Sequence, residues 1–252
     1  PPPPFQAEDG IRDDISCLVG SEMCIRDRAQ ALGILGRQEA IEVVLTGAQD
    51  ARLLELAAPH PHPEGLFFPD SYRYLRGTTD LAILHRARAA MVDTLAREWA
   101  QRAQDLPYAD PYEALVMASI IERETGLPSE RNEIAGVFVR RLQKGMRLQT
   151  DPTVIYGLGE AFDGNLRRTH LADGNNPYNS YRHHGLPPTP IALPGRAAIR
   201  AALHPAAGQA LFFVARGDGG HVFSETLAEH ERAVRKYQLR RREDYRSSPP
   251  RK

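Results

Sequence analysis

Apolar residues recur near helical spacing from Leu81 to Trp99: Leu81, Ile83, Leu84, Ala87, Met91, Leu95 and Trp99 share one stripe. Thr79-Asp80 ahead of them is a start signal, so the pattern predicts a long helix to about Arg102. Asp110-Pro111, a cap and a first-turn proline, opens a second helix. It runs to Glu124 or Thr125 and stops at Gly126-Leu127-Pro128. Ser129 is expected to cap a third, with Asn132 where a capping box prefers Glu or Gln, and Gly145 ends it. Gly195 to about Leu203 predicts a short helix stopped by His204-Pro205, and Ser224 or Glu225 to about Leu239 a closing one. Between them, LFFVAR and HVFS flank GDGG, a hairpin signal. Residues 146–195, rich in Gly, Pro, Asn, Thr and Tyr, are expected to be strands and ordered loops. The prolines of residues 59–63 make a non-helical linker, and Glu64 to Tyr74 reads as an aromatic-rich extended stretch. Residues 29–59 hold only short apolar runs around Ile41, Val43, Val44 and Leu45. Segregated helices and hairpins, with no internal repeat, predict an α+β fold.

Residues 1–28 fit none of this. Their sequence, PPPPFQAEDGIRDDISCLVGSEMCIRDR, has no sustained period and resembles translated sequencing-adapter read-through, so it is set aside as a non-native tail. Both cysteines, Cys17 and Cys24, fall in it, so the rest is compatible with an oxidising compartment. The whole chain balances 32 basic against 32 acidic residues; without the tail, 29 basic face 26 acidic, and neither total argues for nucleic acid. The basic cluster of Arg235, Lys236 and Arg240 to Arg242, with Arg246, Arg251 and Lys252 beyond, reads as a solvated helix end and tail, with membrane-surface contact as the alternative. No run of about 18 apolar residues marks a spanning helix, and no signal peptide is visible.

Candidate chemistry starts in the second helix. Glu122 and Glu124 lie two residues apart and point to nearly opposite faces, so only one is expected to share the buried stripe. Ile121, Ile120 and Met117 stand three, four and seven residues before Glu124, against Ser119, Ala118 and Leu115 before Glu122. Glu124 therefore continues the more apolar line. Desolvation and the helix C-terminus would both raise its pKa, as a general acid requires. Spacing alone leaves open an exposed glutamate at a frayed helix end. Gln149, Thr150 and Asp151 place an amide, a hydroxyl and a carboxylate side by side, apt for sugar hydroxyl and N-acetyl groups, or else a plain turn at Asp151-Pro152 between strands. Tyr178 and Tyr181 offer sugar-stacking faces, and Asn179 a donor and an acceptor, in a proline-stiffened loop. Adjacent His183-His184 without a spaced third ligand is no metal signature, and no serine-nucleophile, phosphate-loop or zinc motif occurs.

Together EGLFFPDSYRY, MASIIERETGLPSERNEIAGVFVRRLQKGMRLQTDPTVIYGLGE, PYNSY with GLPPTPIALPG, and LFFVARGDGGHVFS with AEH resemble the MltG (YceG-like) family of endolytic murein transglycosylases. The resemblance runs in order over residues 64–237. It implies a catalytic domain over 60–240, a remnant of a LysM-like region and linker over 29–59, and a basic tail over 241–252. It aligns the family's catalytic glutamate with Glu124, Arg123 standing where relatives can have lysine. The implied reaction is non-hydrolytic cleavage of peptidoglycan glycan strands with no cofactor. The implied setting is the outer face of the cytoplasmic membrane, single-pass anchored, beside peptidoglycan synthases, although this sequence lacks the anchor. Two rivals stay open: a muramidase in which Asp151 or Glu122 activates water, and a glycan-binding module without turnover.

Overall fold

The computed structural model describes residues 41–42, 51–72, 74 and 77–238. The expectations for residues 1–28, for the run at 43–45 and for the tail 241–252 lie outside the described residues.

The architecture is α+β, with helices dominant. Its elements are β1 (Ile41–Glu42), α1 (Ala51–Ala57), β2 (Thr78–Thr79), α2 (Asp80–Ala100), α3 (Pro111–Glu124), α4 (Arg131–Gln143), α5 (Asp151–Leu158), α6 (Arg168–Ala172), α7 (Arg196–Leu203), β3 (Phe212–Ala215), β4 (His221–Ser224) and α8 (Leu227–Tyr237). β1 and β2 form a two-residue parallel pair. β3 and β4 form the expected antiparallel hairpin, Phe212 opposite Ser224.

Local chemistry sets the helix ends. The Thr79 hydroxyl accepts from the Ala82 N–H at 3.1 Å and starts α2. Asp110 accepts from the Glu113 N–H at 2.9 Å while Glu113 accepts from the Ala109 N–H at 2.7 Å, so two donors at the start of α3 are satisfied reciprocally. α8 begins later than expected because the cap is Thr226, which exchanges bonds with Glu229.

α3 is the axle of the domain. Every residue from Ala114 to Glu122 is buried, because α2, α4, α5 and α7 surround it. Its Met117, Ile120 and Ile121 share one core with Met91, Ile134, Phe138, Leu148, Ile191, Ile199 and Leu203. A smaller cluster joins Leu53 of α1 to Phe67, Tyr72, Ile83 and Leu193.

Three expectations need correction. Ser129 caps nothing: it sits inside a 3-10 turn, Pro128–Glu130, that leads into α4 without a side-chain cap, and Asn132 instead donates to the His204 carbonyl at 2.7 Å. Residues 146–195 contain helices α5 and α6 rather than strands. Asp151-Pro152 is the first turn of α5, where proline's missing N–H has no helical partner to lose. Residues 51–57 form helix α1, with Leu53 and Ala57 buried, so this stretch is part of the packed domain.

Candidate active site

The last residue of α3 is Glu124. Its carboxylate meets the first turn of α5, where the Thr150 hydroxyl donates to Glu124 Oε2 at 3.2 Å. Thr150 is fixed in turn. Its N–H donates to Ser180 Oγ at 3.0 Å, that hydroxyl lies 3.2 Å from the Thr150 carbonyl, and Thr153 Oγ1 closes the cluster 2.8 Å from Ser180 Oγ. One residue earlier the Gln149 N–H donates to the Ser180 carbonyl at 3.2 Å. One residue later Asp151 accepts from the Tyr181 hydroxyl at 2.6 Å. Residues 149–151 and 180–181 are thus laced together beside Glu124.

Electrostatics follow from this packing. Burial, then the neighbouring Asp151 carboxylate, pushes the Glu124 pKa up to about 8, and the Thr150 hydrogen bond opposes them. This shift favours the protonated form of Glu124 near neutral pH, although its side chain stays partly exposed. Burial and the charges of Asp151 and Glu124 also push the Tyr181 hydroxyl up, so Tyr181 stays a donor.

Gln149 has φ +52°, the left-handed region, which costs a non-glycine residue about 1–2 kcal/mol. Strain of this kind gathers at functional sites when the surroundings enforce it. Arg141 of α4 contacts this stretch: its Nη1 donates to the carbonyls of Arg147 and Leu148 at 3.0 and 2.8 Å and lies 3.3 Å from Gln149 Oε1. Sequence reasoning missed this arginine, because Arg140-Arg141 near a helix end looks like a solvated face.

The model of the YceG-like family matches residues 17–236. The chain belongs to the YceG-like family.

An endolytic murein transglycosylase of Bacillus subtilis (strain 168) is 38% identical over 177 residues, 70% of this chain and 48% of its own length. One of Streptococcus pneumoniae serotype 2 is 31% identical over 176 residues, 68% of this chain and 31% of its own length. The chain thus spans about half of the first relative and under a third of the second. A solved yceG-like protein of Listeria monocytogenes superposes with a TM-score of 0.59 at 34% identity, over 71% of this chain and 58% of that one.

In this YceG-like domain the remaining expected site residues divide. Glu124, Gln149, Thr150, Asp151 and Tyr181 come together. Asn179 does not face outward: it is 0% exposed, and its amide donates to the carbonyls of His170, Leu171 and Asp173 at 3.1, 3.3 and 2.6 Å. It is a brace for the loop, not a surface group for a sugar. Tyr178 is half-buried, edge-on to Tyr156 with its hydroxyl 2.9 Å from Thr189 Oγ1. Gly157 lets this loop close on α5, since a Cβ there would stand 2.0 Å from Asn176 Oδ1. His183 and His184 reach the carbonyls of Gly174 and Gly145, and among the described residues no three His, Cys, Asp or Glu side chains gather as metal ligands.

The expectation that Glu122 lies off the buried stripe is wrong. Its side chain is 8% exposed; Oε2 accepts from the Gly195 N–H at 3.1 Å and Oε1 lies 3.7 Å from Arg131. With α3 enclosed on every side, both faces are interior. Glu122 acts as the cap of α7, whose N-cap Gly195 has no side chain of its own. Glu122→Ala is expected to destabilise the domain by about 1–3 kcal/mol, by leaving that N–H and Arg131 uncompensated. Urea denaturation tests this, and an unchanged midpoint would remove Glu122 from the fold's supports.

Proposed function

We propose that this chain carries the catalytic domain of an endolytic peptidoglycan lytic transglycosylase, with Glu124 as its single acid and base. The observation that carries the reading is the placement of Glu124 at the end of α3, held by the Thr150 hydroxyl at 3.2 Å beside the Asp151 carboxylate, a setting in which burial and that charge raise its pKa. The names of the Bacillus and Streptococcus relatives point to the same reaction class.

Glu124 donates its proton to the oxygen joining N-acetylmuramic acid to the following N-acetylglucosamine. The C1–O bond breaks, its electron pair leaves with that oxygen, and positive charge develops at the muramic anomeric carbon. The muramic 6-hydroxyl then attacks C1 and returns its proton to the Glu124 carboxylate. The products are a 1,6-anhydro-muramic end and a free 4-hydroxyl, with no water consumed. Asp151 serves both halves. Together with burial, which is the larger cause, its negative charge favours the protonated Glu124 beforehand and makes the ionised Glu124 a stronger base afterwards.

A hydrolytic muramidase would need a second carboxylate free to activate water. Buried Glu122 is committed to Gly195 and Arg131, which supports the lyase and leaves Asp151, exposed and accepting from the Tyr181 hydroxyl, as the rival's remaining candidate. Mass spectrometry of digested peptidoglycan decides between them: anhydro ends support the lyase, reducing ends the hydrolase, and no new ends a glycan-binding module. Cutting within strands, such a domain would end glycan elongation during wall assembly, at the outer face of the cytoplasmic membrane beside peptidoglycan synthases. Among the described residues no helix is long and apolar enough to cross a membrane.

The role of Asp151 is separately testable. Asp151→Asn removes a charge that raises the Glu124 pKa, so Glu124 should lose its proton at lower pH. The alkaline limb of the kcat/KM profile is expected to move down by on the order of one pH unit. A limb that stays in place would end the proposed coupling.

A further inference from the structure

Arg141 stands in the last turn of α4 and is 6% exposed. Among the described residues no carboxylate pairs with it, an unusual state for a buried cation. Its guanidinium is satisfied by oxygens and a ring instead. Nε donates to the Leu211 carbonyl at 2.6 Å, and the group lies 5.0 Å over the Phe212 ring at the start of the hairpin. Nη1 reaches three consecutive residues: the carbonyls of Arg147 and Leu148, and the Gln149 side chain. The third of these residues is the left-handed Gln149. The next, Thr150, donates its hydroxyl to Glu124. A planar fork suits this task and a lysine ammonium does not, because only the fork has several donors in fixed directions.

We propose that Arg141 is a positioning residue: it holds residues 147–149 so that Gln149 stays left-handed and Thr150 meets the Glu124 carboxylate. This rests on the reading of Glu124 as the acid. Arg141 itself touches neither Glu124 nor any reacting atom in this arrangement. Its influence passes through two consecutive residues.

The test compares R141K, Q149G and the double variant in the whole chain, with kcat and KM measured on peptidoglycan strands. R141K keeps the charge and loses the fork. Misplacing Thr150 by a fraction of an ångström should lower kcat roughly 10- to 100-fold while KM changes little. Glycine adopts a positive φ without a Cβ penalty, so residue 149 needs less enforcement once it is glycine. In the Q149G background the loss caused by R141K should therefore shrink to under about threefold. A residue that only supported the fold would show the same loss in both backgrounds. Wild-type kcat in R141K, or an undiminished loss beside Q149G, overturns the proposal.

Should R141K fail to fold, Gln149→Val decides. A β-branched residue resists the left-handed region, so kcat should fall at unchanged KM with Arg141 intact, and an unchanged kcat overturns the proposal. Should the wild-type chain release no anhydro ends, the proposed function has failed, and NMR titration of the Glu124 carboxyl judges Arg141 alone. The Thr150 bond lowers the Glu124 pKa, so its loss in R141K should move that midpoint upward. A midpoint that does not move overturns the positioning role.

Discussion

Glu124→Gln is expected to abolish release of anhydro-muropeptides from peptidoglycan. Glutamine has the size of glutamate and an oxygen that can still accept the Thr150 hydroxyl, so the packing seen at 3.2 Å can survive. It cannot transfer a proton. General acid or base catalysis is typically worth about 10² to 10⁴ in rate, and here one carboxyl supplies both steps, so the loss should reach or exceed that range. The control is Glu122→Gln. Glutamine keeps an oxygen for the Gly195 N–H at the start of α7, so this variant should fold and retain substantial activity. Release of anhydro ends is followed by mass spectrometry on proteins first shown to be folded by circular dichroism. Near wild-type release by folded Glu124→Gln, or a dead but folded Glu122→Gln, would sink the assignment of the acid.

The contrast between these two glutamates shows where the sequence is legible. Caps and breakers act over a few residues, and so Thr79, Asp110-Pro111 and Gly126-Leu127-Pro128 mark the bounds of α2 and α3 correctly. The hairpin at GDGG is local in the same way. α5 is a different case. Asp-Pro opens a turn and a helix alike, and Thr153, Val154 and Ile155 after it favour a strand by propensity, so contact with α3 decides. For Glu122 the face count assumed a helix with one buried stripe. The near-continuous apolar run Ala114 to Ile121 already signals a helix buried all round, on which no face is spare.

The site was half visible for the same reason. Burial as the main cause of the raised Glu124 pKa follows from Ile121, Ile120 and Met117 behind it. Asp151 as the second cause does not. Thr150 and Asp151 reach Glu124 across more than twenty residues of chain, and no periodicity reports such a meeting. Asn179 misleads in the other direction. A polar side chain in a proline-rich loop suggests a sugar contact, yet the loop needs its own carbonyls satisfied, and Asn179 does that from within.

The raised pKa of Glu124 has a consequence for stability that is independent of turnover. In the unfolded chain a glutamate titrates near its ordinary value of 4.5, whereas in the folded domain Glu124 is pushed up to about 8. Between those values the folded state binds the proton more firmly, so stability falls as pH rises through this window. Each unit of difference corresponds to about 1.4 kcal/mol, and partial exposure of the side chain screens the effect to about 1–3 kcal/mol in all. Glutamine carries no charge at any of these pH values. Glu124→Gln should therefore gain stability over the wild type as pH rises, with little difference at pH near 4.5 and about 1–3 kcal/mol at pH near 8. Urea midpoints of both proteins at several pH values test this, since other titrating groups contribute nearly equally to the two curves. A gap that stays constant with pH would mean that Glu124 is already ionised in the folded domain. An ionised Glu124 would have no proton to donate near neutral pH, so the same measurement bears on the acid step without any substrate.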